Sequence, residues 1–231
     1  MKKKILIVGS AGHFGRFAFN QLKKDYDVIG IERKKNKNRF ACEDLSNFKL
    51  NYETFKLLNK YHKKFAAMLI CTGKGQKLSG NISQKLVKSI ESNLLTVTNS
   101  IEIYQKVYRN KPIKIIVLSS IAGIKEVNAP LEYSVSKSAL NHFCMIKSKE
   151  LSKFKIKLNI ISPGNIFFKK NNWGLKIKKN RKKVKQYIKN VVPLNNFCKP
   201  TELLALCNLL ISEEGNFFLG SNIVIDGGQI L

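Results

Sequence analysis

The sequence predicts an α/β fold, a doubly wound and mostly parallel seven-stranded sheet with helices on both faces. Short, continuously apolar runs such as residues 5–8 and 115–118 are typical of strands that are buried on both sides. Longer amphipathic stretches separate these runs, and that alternation favours a parallel sheet. The chain has 231 residues, 44% of them hydrophobic, which is enough for one sizeable core. We therefore expect residues 1–231 to form a single domain.

Seven strands and five helices follow from this pattern. The predicted strands are residues 4–8, 27–31, 39–42, 66–71, 113–119, 156–161 and 222–225. The predicted helices are residues 13–24, 47–63, 83–108, 131–153 and 201–211. In the helix at 131–153, Val135, Ala139, Phe143 and Ile146 recur at helical spacing, so we expect them to pack against the core.

Charge and cysteine usage narrow the classes of partner. The formal net charge is +27, and lysines are densest from 169 to 189. Arginines are few, whereas nucleic-acid surfaces usually rely on arginine and exposed aromatic side chains, so no specific nucleic-acid partner is expected. No apolar run is long enough to span a bilayer, and the one after the basic N-terminus is too short for a signal peptide. Five scattered cysteines without a CxxC motif predict a reduced, cytoplasmic protein and no metal site.

A glycine-rich stretch, GSAGHFG, follows the first predicted strand and opens the first helix. Gly9, Gly12 and Gly15 would allow a tight turn and let the backbone approach a pyrophosphate at the helix N-terminus. The position at the first strand–helix junction favours a dinucleotide site over the alternative of a plain glycine-rich turn.

Charged side chains follow the next two strands. Glu32 comes directly after the strand at 27–31, where an acidic side chain can accept both ribose hydroxyls of NAD and repel the 2′-phosphate of NADP. Arg33 beside it would favour NADP, so NAD is only slightly preferred, and a solvated Glu–Arg pair is the alternative. Asp44 follows the third strand and could bind an adenine amino group or cap the helix that starts near Ser46.

A tyrosine and a lysine in the run YSVSK, Tyr133 and Lys137, stand one helical turn apart. Ser120 lies thirteen residues before the tyrosine, directly after the fifth strand. A serine at this separation from Tyr-x-x-x-Lys resembles the pattern of the short-chain dehydrogenase/reductase family, in its compact single-domain branch. The similarity continues through ESNLL, SSIAG, LNIISPGNI, VPLNNFCKPTEL and FFLGSNIVIDGG, which occur in the family's order and cover nearly the whole chain.

The resemblance implies a Rossmann-like NAD(P)-dependent oxidoreductase that interconverts an alcohol and a ketone. Tyr133 would be the acid–base group, and Lys137 would lower its pKa and bind the nicotinamide ribose. Ser120 would hold the substrate oxygen, and Asn93 would interrupt its helix and hold a water that links Lys137 to solvent. The cofactor residues it implies are Gly9, Gly12, Phe14, Gly15, Glu32, Arg33, Asp44, Leu45, Thr72, Gly73, Tyr133, Lys137, Pro163, Gly164 and Ile166.

Several positions depart from the family pattern. Val8 replaces a usual threonine, and His13 occupies the customary site of a glycine. The usual Asn-Asn-Ala-Gly turn is CTGKG here, and Phe167 and Phe168 stand near the place of a threonine. These changes affect the cofactor site more than the catalytic set.

Residues 167–197 are expected to form the substrate loop. Their lysines would suit an anionic substrate, such as a nucleotide-linked sugar or a carrier-bound acyl ketone, although compositional bias explains them equally well. The resemblance implies a homodimer or homotetramer. The alternative functions are a non-catalytic dinucleotide sensor or partner-binding protein and, less favoured, a basic nucleic-acid-binding protein.

Overall fold

Seven parallel strands form one sheet in the computed structural model, which describes residues 2–33, 39–73, 75 and 78–231. The strand order is β3-β2-β1-β4-β5-β6-β7, and every neighbouring pair is parallel. The strands are β1 (Lys4–Val8), β2 (Asp27–Glu32), β3 (Arg39–Ala41), β4 (Ala67–Ile70), β5 (Lys114–Leu118), β6 (Lys157–Pro163) and β7 (Asn222–Ile225). The predicted doubly wound sheet is confirmed, and its order reverses between β1 and β4, where such sheets bind ligands.

The helices of the described residues are α1 (His13–Leu22), α2 (Phe48–Tyr61), α3 (Ile82–Ile90), α4 (Thr96–Tyr108), α5 (Leu131–Ser152), α6 (Asn172–Lys179), α7 (Arg181–Val191) and α8 (Pro200–Ile211). The single helix predicted at 83–108 is two helices, because a π-helical turn at Glu91–Leu95 separates α3 from α4. The short helices α6 and α7 lie in the segment for which no helix was predicted.

The two faces of the sheet bury separate hydrophobic clusters. Ile5 and Ile7 of β1 pack with α1 and α8, whereas Leu6 and Val8 pack with α2, α4 and α5. Alternate residues of a strand point to opposite faces, so a continuously apolar strand fills both clusters at once. Helices therefore cover both faces, and the carboxyl edge of the sheet holds the segments that follow each strand.

The expected core stripe of α5 is only partly found, since Phe143 packs against the core but Val135 and Ile146 do not. Val135 is 43% exposed and Ile146 is 61% exposed, while Ala139 and Phe143 are only partly buried. The fully buried side of α5 consists of Glu132, Ser136, Lys137, Leu140, Cys144, Ser148 and Leu151. Two of these polar side chains bond to neighbouring elements, Ser136 to Ser89 and Asn93 and Lys137 to Leu118. The outward apolar side of α5 exposes Leu131, Val135, Met145 and Ile146.

Candidate active site

The glycines shape the turn between β1 and α1. Gly9 has a φ of +84°, a backbone conformation that favours glycine. A Cβ on Gly15 would lie 2.3 Å from the carbonyl oxygen of Gly9, so a larger residue does not fit. Gly12 is the N-cap of α1, and no side chain caps the first turn. The turn therefore presents a helix N-terminus, which favours anions, at the carboxyl edge of the sheet.

Glu32 ends β2 and is buried, with 7% of its side chain exposed. Its Oε2 accepts a hydrogen bond from Ser10 Oγ at 3.2 Å and lies 2.6 Å from Nη1 of Arg39. The alternative of a solvated pair with Arg33 is wrong, since Arg33 is exposed and the partner of Glu32 is Arg39. The carboxylate nevertheless stands beside the glycine turn, where the sequence predicts a ribose acceptor.

Asp44 lies in the exposed segment after β3. Its Oδ1 accepts hydrogen bonds from the backbone N–H and the hydroxyl of Ser46, which hold its pKa below the usual range. Asn47, and not Asp44, caps α2. The neighbouring Leu45 and the Phe14 side chain both pack against the hydrophobic clusters. The Phe14 side chain is buried and that of Leu45 is partly buried, so their place at a cofactor stays a prediction.

Three residues from different elements converge after β4. Gly73 has a φ of +124°, and a Cβ there would lie 2.6 Å from Asn93 Oδ1 and 3.2 Å from Lys137 Nζ. The hydroxyl of Thr72 lies 2.9 Å from that of Thr96, so this side chain is tied to α4. The turn at Thr72 and Gly73 is therefore packed directly against the Asn93–Lys137 region.

Asn93 is fully buried in the π-helical turn, as the resemblance implies for a residue that interrupts its helix. Its Nδ2 donates to Ser89 Oγ at 3.0 Å and to Ser136 Oγ at 3.2 Å. Ser136 in turn donates to the carbonyl oxygen of Tyr133 at 2.9 Å. Hydroxyls of α3 and α5 thus hold the Asn93 amide and connect it to the helix that carries the tyrosine.

The Ser120 side chain lies close enough to the Tyr133 hydroxyl to influence its pKa. Ser120 is the second residue after β5, and its Oγ accepts from the N–H of Ala122 at 3.2 Å, so it caps a short turn. Burial raises the pKa of Tyr133, and Ser120 acts in the opposite direction. The lowering of this pKa by Lys137, which the resemblance implies, stays a prediction.

Lys137 is 3% exposed, and its Nζ lies 5.9 Å from the centre of the Tyr133 ring. The ammonium donates a hydrogen bond to the carbonyl of Leu118 at 3.1 Å. Burial lowers the pKa of Lys137 to about 8, while the Cys144 and Cys71 thiols act to raise it. The spacing in YSVSK does place the cation beside the phenol, on the inner side of α5.

The predicted nicotinamide side of the site follows β6, which ends at Pro163. The N–H of Gly164 donates to Ile225 O at 2.9 Å, and a Cβ on Gly164 would lie 2.8 Å from the side chain of Asp226. The carbonyl of Ile166 accepts from Asn171 Nδ2 at 2.8 Å. These three residues form a tight strand exit at the same edge of the sheet as the glycine turn.

Aromatic side chains join the glycine turn to the predicted substrate segment. His13 stacks on Phe168, with ring centres 5.7 Å apart, and Phe17 contacts the same ring edge-on. Trp173 stacks on Tyr187 in a small cluster under α6 and α7. Segment 167–197 is therefore folded onto the carboxyl edge, beside the turn that follows β1.

Four participating residues were missed by the sequence reasoning. Ser89 lies four residues before Asn93, and Ser136 lies directly before Lys137, so helical spacing could have indicated both. Ser10 lies within the glycine stretch itself. Arg39 offered no local signal, because it lies seven residues from Glu32 across residues 34–38, which are outside the described part of the chain.

The strand order, the glycine turn and the Ser120–Tyr133–Lys137 group define a doubly wound α/β protein with a site at its carboxyl edge. A family model described as Enoyl-(Acyl carrier protein) reductase matches residues 21–229. The chain belongs to the short-chain dehydrogenase/reductase family. The resemblance read from the sequence is thus confirmed.

Two curated relatives illustrate the similarity. The acetoacetyl-CoA reductase of Acinetobacter sp. (strain RA3849) is 27% identical over 140 residues, which cover 60% of this chain and 54% of that protein. The 3-oxoacyl-[acyl-carrier-protein] reductase FabG of Buchnera aphidicola subsp. Acyrthosiphon pisum (strain APS) is 24% identical over 245 residues, 100% of this chain and 98% of that protein. The first curated relatives are matched over about half of their length, 54% and 44% for the first two.

Two solved structures share the fold. ElxO with NADP bound superposes with a TM-score of 0.87 at 20% identity and covers 100% of this chain and 99% of its own. A mutant 4-hydroxyisoleucine dehydrogenase complexed with NADH and succinate gives a TM-score of 0.84 at 25% identity and covers 99% of this chain and 98% of its own.

Within the described residues, no helix is long and apolar enough to cross a membrane, and no cluster of three His, Cys, Asp or Glu side chains could hold a metal ion.

Proposed function

We propose that the chain is an NAD(P)-dependent oxidoreductase that interconverts an alcohol and a ketone, with residues 1–231 acting as one domain. The observation that carries the proposal is the buried Lys137 ammonium 5.9 Å from the centre of the Tyr133 ring, with Ser120 on the other element that reaches the phenol. Relatives named as reductases and dehydrogenases support the class of reaction.

The residues present fit a dinucleotide. The close approach of Gly15 to Gly9 O and the positive φ of Gly9 give a cradle that side chains would fill. The helix N-terminus at Gly12 has no capping side chain, so its N–H groups are suited to a pyrophosphate. Phe14 and Leu45 would contribute backbone atoms to the cofactor site. The other residues that would hold the cofactor are Gly9, Gly12, Gly15, Glu32, Asp44, Thr72, Gly73, Pro163, Gly164 and Ile166.

The cofactor supplies the hydride when it is bound, and the chain handles the proton. Ser120 holds the substrate oxygen and the Tyr133 hydroxyl in one hydrogen-bonded group. Tyr133 donates its proton to that oxygen in reduction and accepts it in oxidation. The Lys137 ammonium stabilises negative charge on the phenol oxygen. Asn93 holds the water that links Lys137 to solvent.

The substrate is proposed to be an anionic ketone or alcohol. No Asp or Glu occurs from residue 151 to 201, and ten of the 21 residues from 169 to 189 are Lys or Arg. An uninterrupted positive potential next to the site favours negatively charged ligands. Two alternatives fit less well. A non-catalytic sensor does not need Ser120, Tyr133 and Lys137 together. A nucleic-acid partner would need exposed aromatics within the basic segment, where Trp173 and Tyr187 stack on each other.

NAD is the slightly favoured cofactor, because the carboxylate of Glu32 stands at the end of β2.

We also propose that the protein is a homodimer or homotetramer whose copies contact one another through the outward apolar side of α5. We propose a reduced, cytoplasmic setting for its free cysteines.

Turnover of a ketone by the Tyr133→Phe variant tests the proposal. We expect kcat to fall by roughly 10³-fold or more while NADH still binds, because phenylalanine keeps the ring and lacks only the hydroxyl that would exchange the proton. Tyr61→Phe, at an exposed tyrosine of α2, is the matched control and should retain full activity. Full turnover in Tyr133→Phe would refute the acid–base assignment, and binding of neither NADH nor NADPH by the wild type would refute the proposed function.

A further inference from the structure

Arg39 and Glu32 form a buried ion pair that is held from three sides. Nη1 of Arg39 lies 2.6 Å from Oε2 of Glu32, and their side chains are 13% and 7% exposed. Ser10 Oγ donates to the same oxygen, and the guanidinium lies 4.4 Å from the centre of the Phe19 ring. A Cβ on Gly30 would lie 2.5 Å from Ser10 Oγ and 3.1 Å from Arg39 Cγ, so glycine makes room for both side chains.

The pair stands where the proposed function places the adenosine ribose. Glu32 is the last residue of β2, and Ser10 directly follows the first glycine of the turn. In doubly wound sheets an acidic side chain at this strand end binds the ribose hydroxyls of a dinucleotide. The register pairs Gly30 with Arg39 and Glu32 with Ala41, so the Arg39 backbone lies two residues before the strand end and its side chain reaches forward to Glu32.

The ion pair changes the charge that a cofactor meets. A lone carboxylate at this place would repel the 2′-phosphate of NADP, whereas a carboxylate paired with a guanidinium has a net charge near zero. The two hydrogen bonds found on Glu32 among the described residues both use Oε2, so Oε1 can accept from a ribose hydroxyl. Arginine carries five N–H donors in a fork that matches phosphate, and the bond to Glu32 uses only one of its nitrogens.

We propose that Arg39 is a specificity-determining residue that makes the cofactor site permissive. It neutralises Glu32 and supplies N–H donors for a 2′-phosphate, so that the site accepts NADP as well as NAD. Arg33 is exposed and is not the ion-pair partner of Glu32, so it is the rival candidate for this role that the test separates from Arg39. This inference rests on the proposed function and adds to it the residue that sets cofactor choice.

The test measures dissociation constants of NADH and NADPH by fluorescence titration for the wild type and for Arg39→Met, Glu32→Gln and Arg33→Met. Wild-type affinities should differ by less than about tenfold. Arg39→Met should weaken NADPH binding by about tenfold or more and change NADH binding by less than about threefold, because only NADPH loses its counter-charge. Glu32→Gln should shift the preference in the opposite direction, toward NADPH, and Arg33→Met should resemble the wild type.

Removal of one partner leaves the other charge buried, so folding is checked for each variant by circular dichroism and thermal unfolding. The double variant Glu32→Gln/Arg39→Met carries no charge at this place and should fold and bind NADH. The inference is overturned if the NADPH-to-NADH affinity ratio of folded Arg39→Met, or of the double variant, equals that of the wild type. It is also overturned if Arg33→Met weakens NADPH binding as much as Arg39→Met does. Failure of the wild type to bind either dinucleotide would instead refute the proposed function.

Discussion

The ammonium of Lys137 on α5 donates a hydrogen bond of 3.1 Å to the carbonyl of Leu118, the last residue of β5. The bond ties the helix that carries Tyr133 to the strand end that carries Ser120. It also keeps a cation in a place where 3% of the residue is exposed, and burial lowers its pKa to about 8. Burial of a charged group for function lowers the free energy of unfolding of the protein.

We predict that Lys137→Met stabilises the protein at neutral pH. The pKa of Lys137 falls from 10.5 to about 8 on folding, so both states are protonated below pH 8 and the folded state carries the full penalty. Between about 8 and 10.5 the unfolded chain binds more protons, and the wild type therefore gains stability relative to the variant as the pH rises. The difference at pH 7 should be about 3 kcal/mol at most and should shrink toward pH 10.5.

Urea unfolding followed by the single tryptophan, Trp173, measures this difference. Lys149→Met, at an exposed lysine of the same helix, is the matched control and should follow the wild type at every pH. A Lys137→Met variant that is less stable than the wild type at pH 7, by the same amount at every pH, would contradict the prediction. That outcome would mean that the bond to Leu118 outweighs the burial of the charge.

A second prediction concerns the glycine turn. Gly15→Ala should lower the free energy of unfolding by about 3 kcal/mol or more, because its Cβ would meet the Gly9 carbonyl oxygen and neither backbone can yield cheaply. Gly12→Ala should change it by less than about 1 kcal/mol, since its Cβ would find ordinary contacts at 3.4 and 3.8 Å. Chemical denaturation of both variants checks the difference, and equal losses would show that the close approach at Gly15 is not what shapes the turn.

The sheet could be predicted because burial on both faces leaves a plain signal. The predicted bounds of β1 and β7 match the structure residue for residue, and the other strands differ by one or two residues at an end. The family pattern of a serine thirteen residues before Tyr-x-x-x-Lys predicted that Ser120, Tyr133 and Lys137 belong together, and the structure places both other residues near Tyr133. Their catalytic roles stay a prediction.

Other features depend on tertiary contacts that no local pattern shows. The helices α6 and α7 were missed because lysines surround the few apolar residues that anchor them, Val184 and Ile188 among them. The partner of Glu32 depends on the β2–β3 register, which brings Arg39 back to it. The outward apolar side of α5 was mistaken for a core stripe, because helical spacing identifies a face but not what covers it.

A third prediction follows from that outward face. Ile146→Asp should lower the mass of the proposed oligomer in light scattering coupled to size exclusion. It puts a charge in place of one of three exposed apolar side chains on this side of α5, Val135, Met145 and Ile146, which are 43%, 53% and 61% exposed. Leu57→Asp, at an exposed leucine of α2, is the matched control and should leave the mass unchanged. An Ile146→Asp variant with the wild-type oligomeric mass would show that copies do not associate through this side of α5.

The last prediction concerns the basic segment at 169–189. The exposed lysines Lys182 and Lys183 line an open depression on α7, together with Tyr187. Attraction between exposed charges is screened by salt, whereas a compositional bias without a role in binding would have no effect on the reaction. Two probe ketones test the proposed anionic substrate class, acetoacetyl-CoA as the anionic one and ethyl acetoacetate as the neutral one. On the proposed function, kcat/KM for the first should fall with rising salt and that for the second should stay constant.

The charge-neutral variant Lys182→Gln/Lys183→Gln locates the effect. We expect it to lower kcat/KM for acetoacetyl-CoA by about threefold to tenfold at low salt and to flatten the salt dependence, with ethyl acetoacetate unaffected. Lys23→Gln/Lys24→Gln, which removes two exposed lysines beyond the end of α1, has the same change in net charge and should behave as the wild type. Equal losses in the two double variants would mean that the overall charge of +27 attracts the substrate and that α7 has no particular part in it.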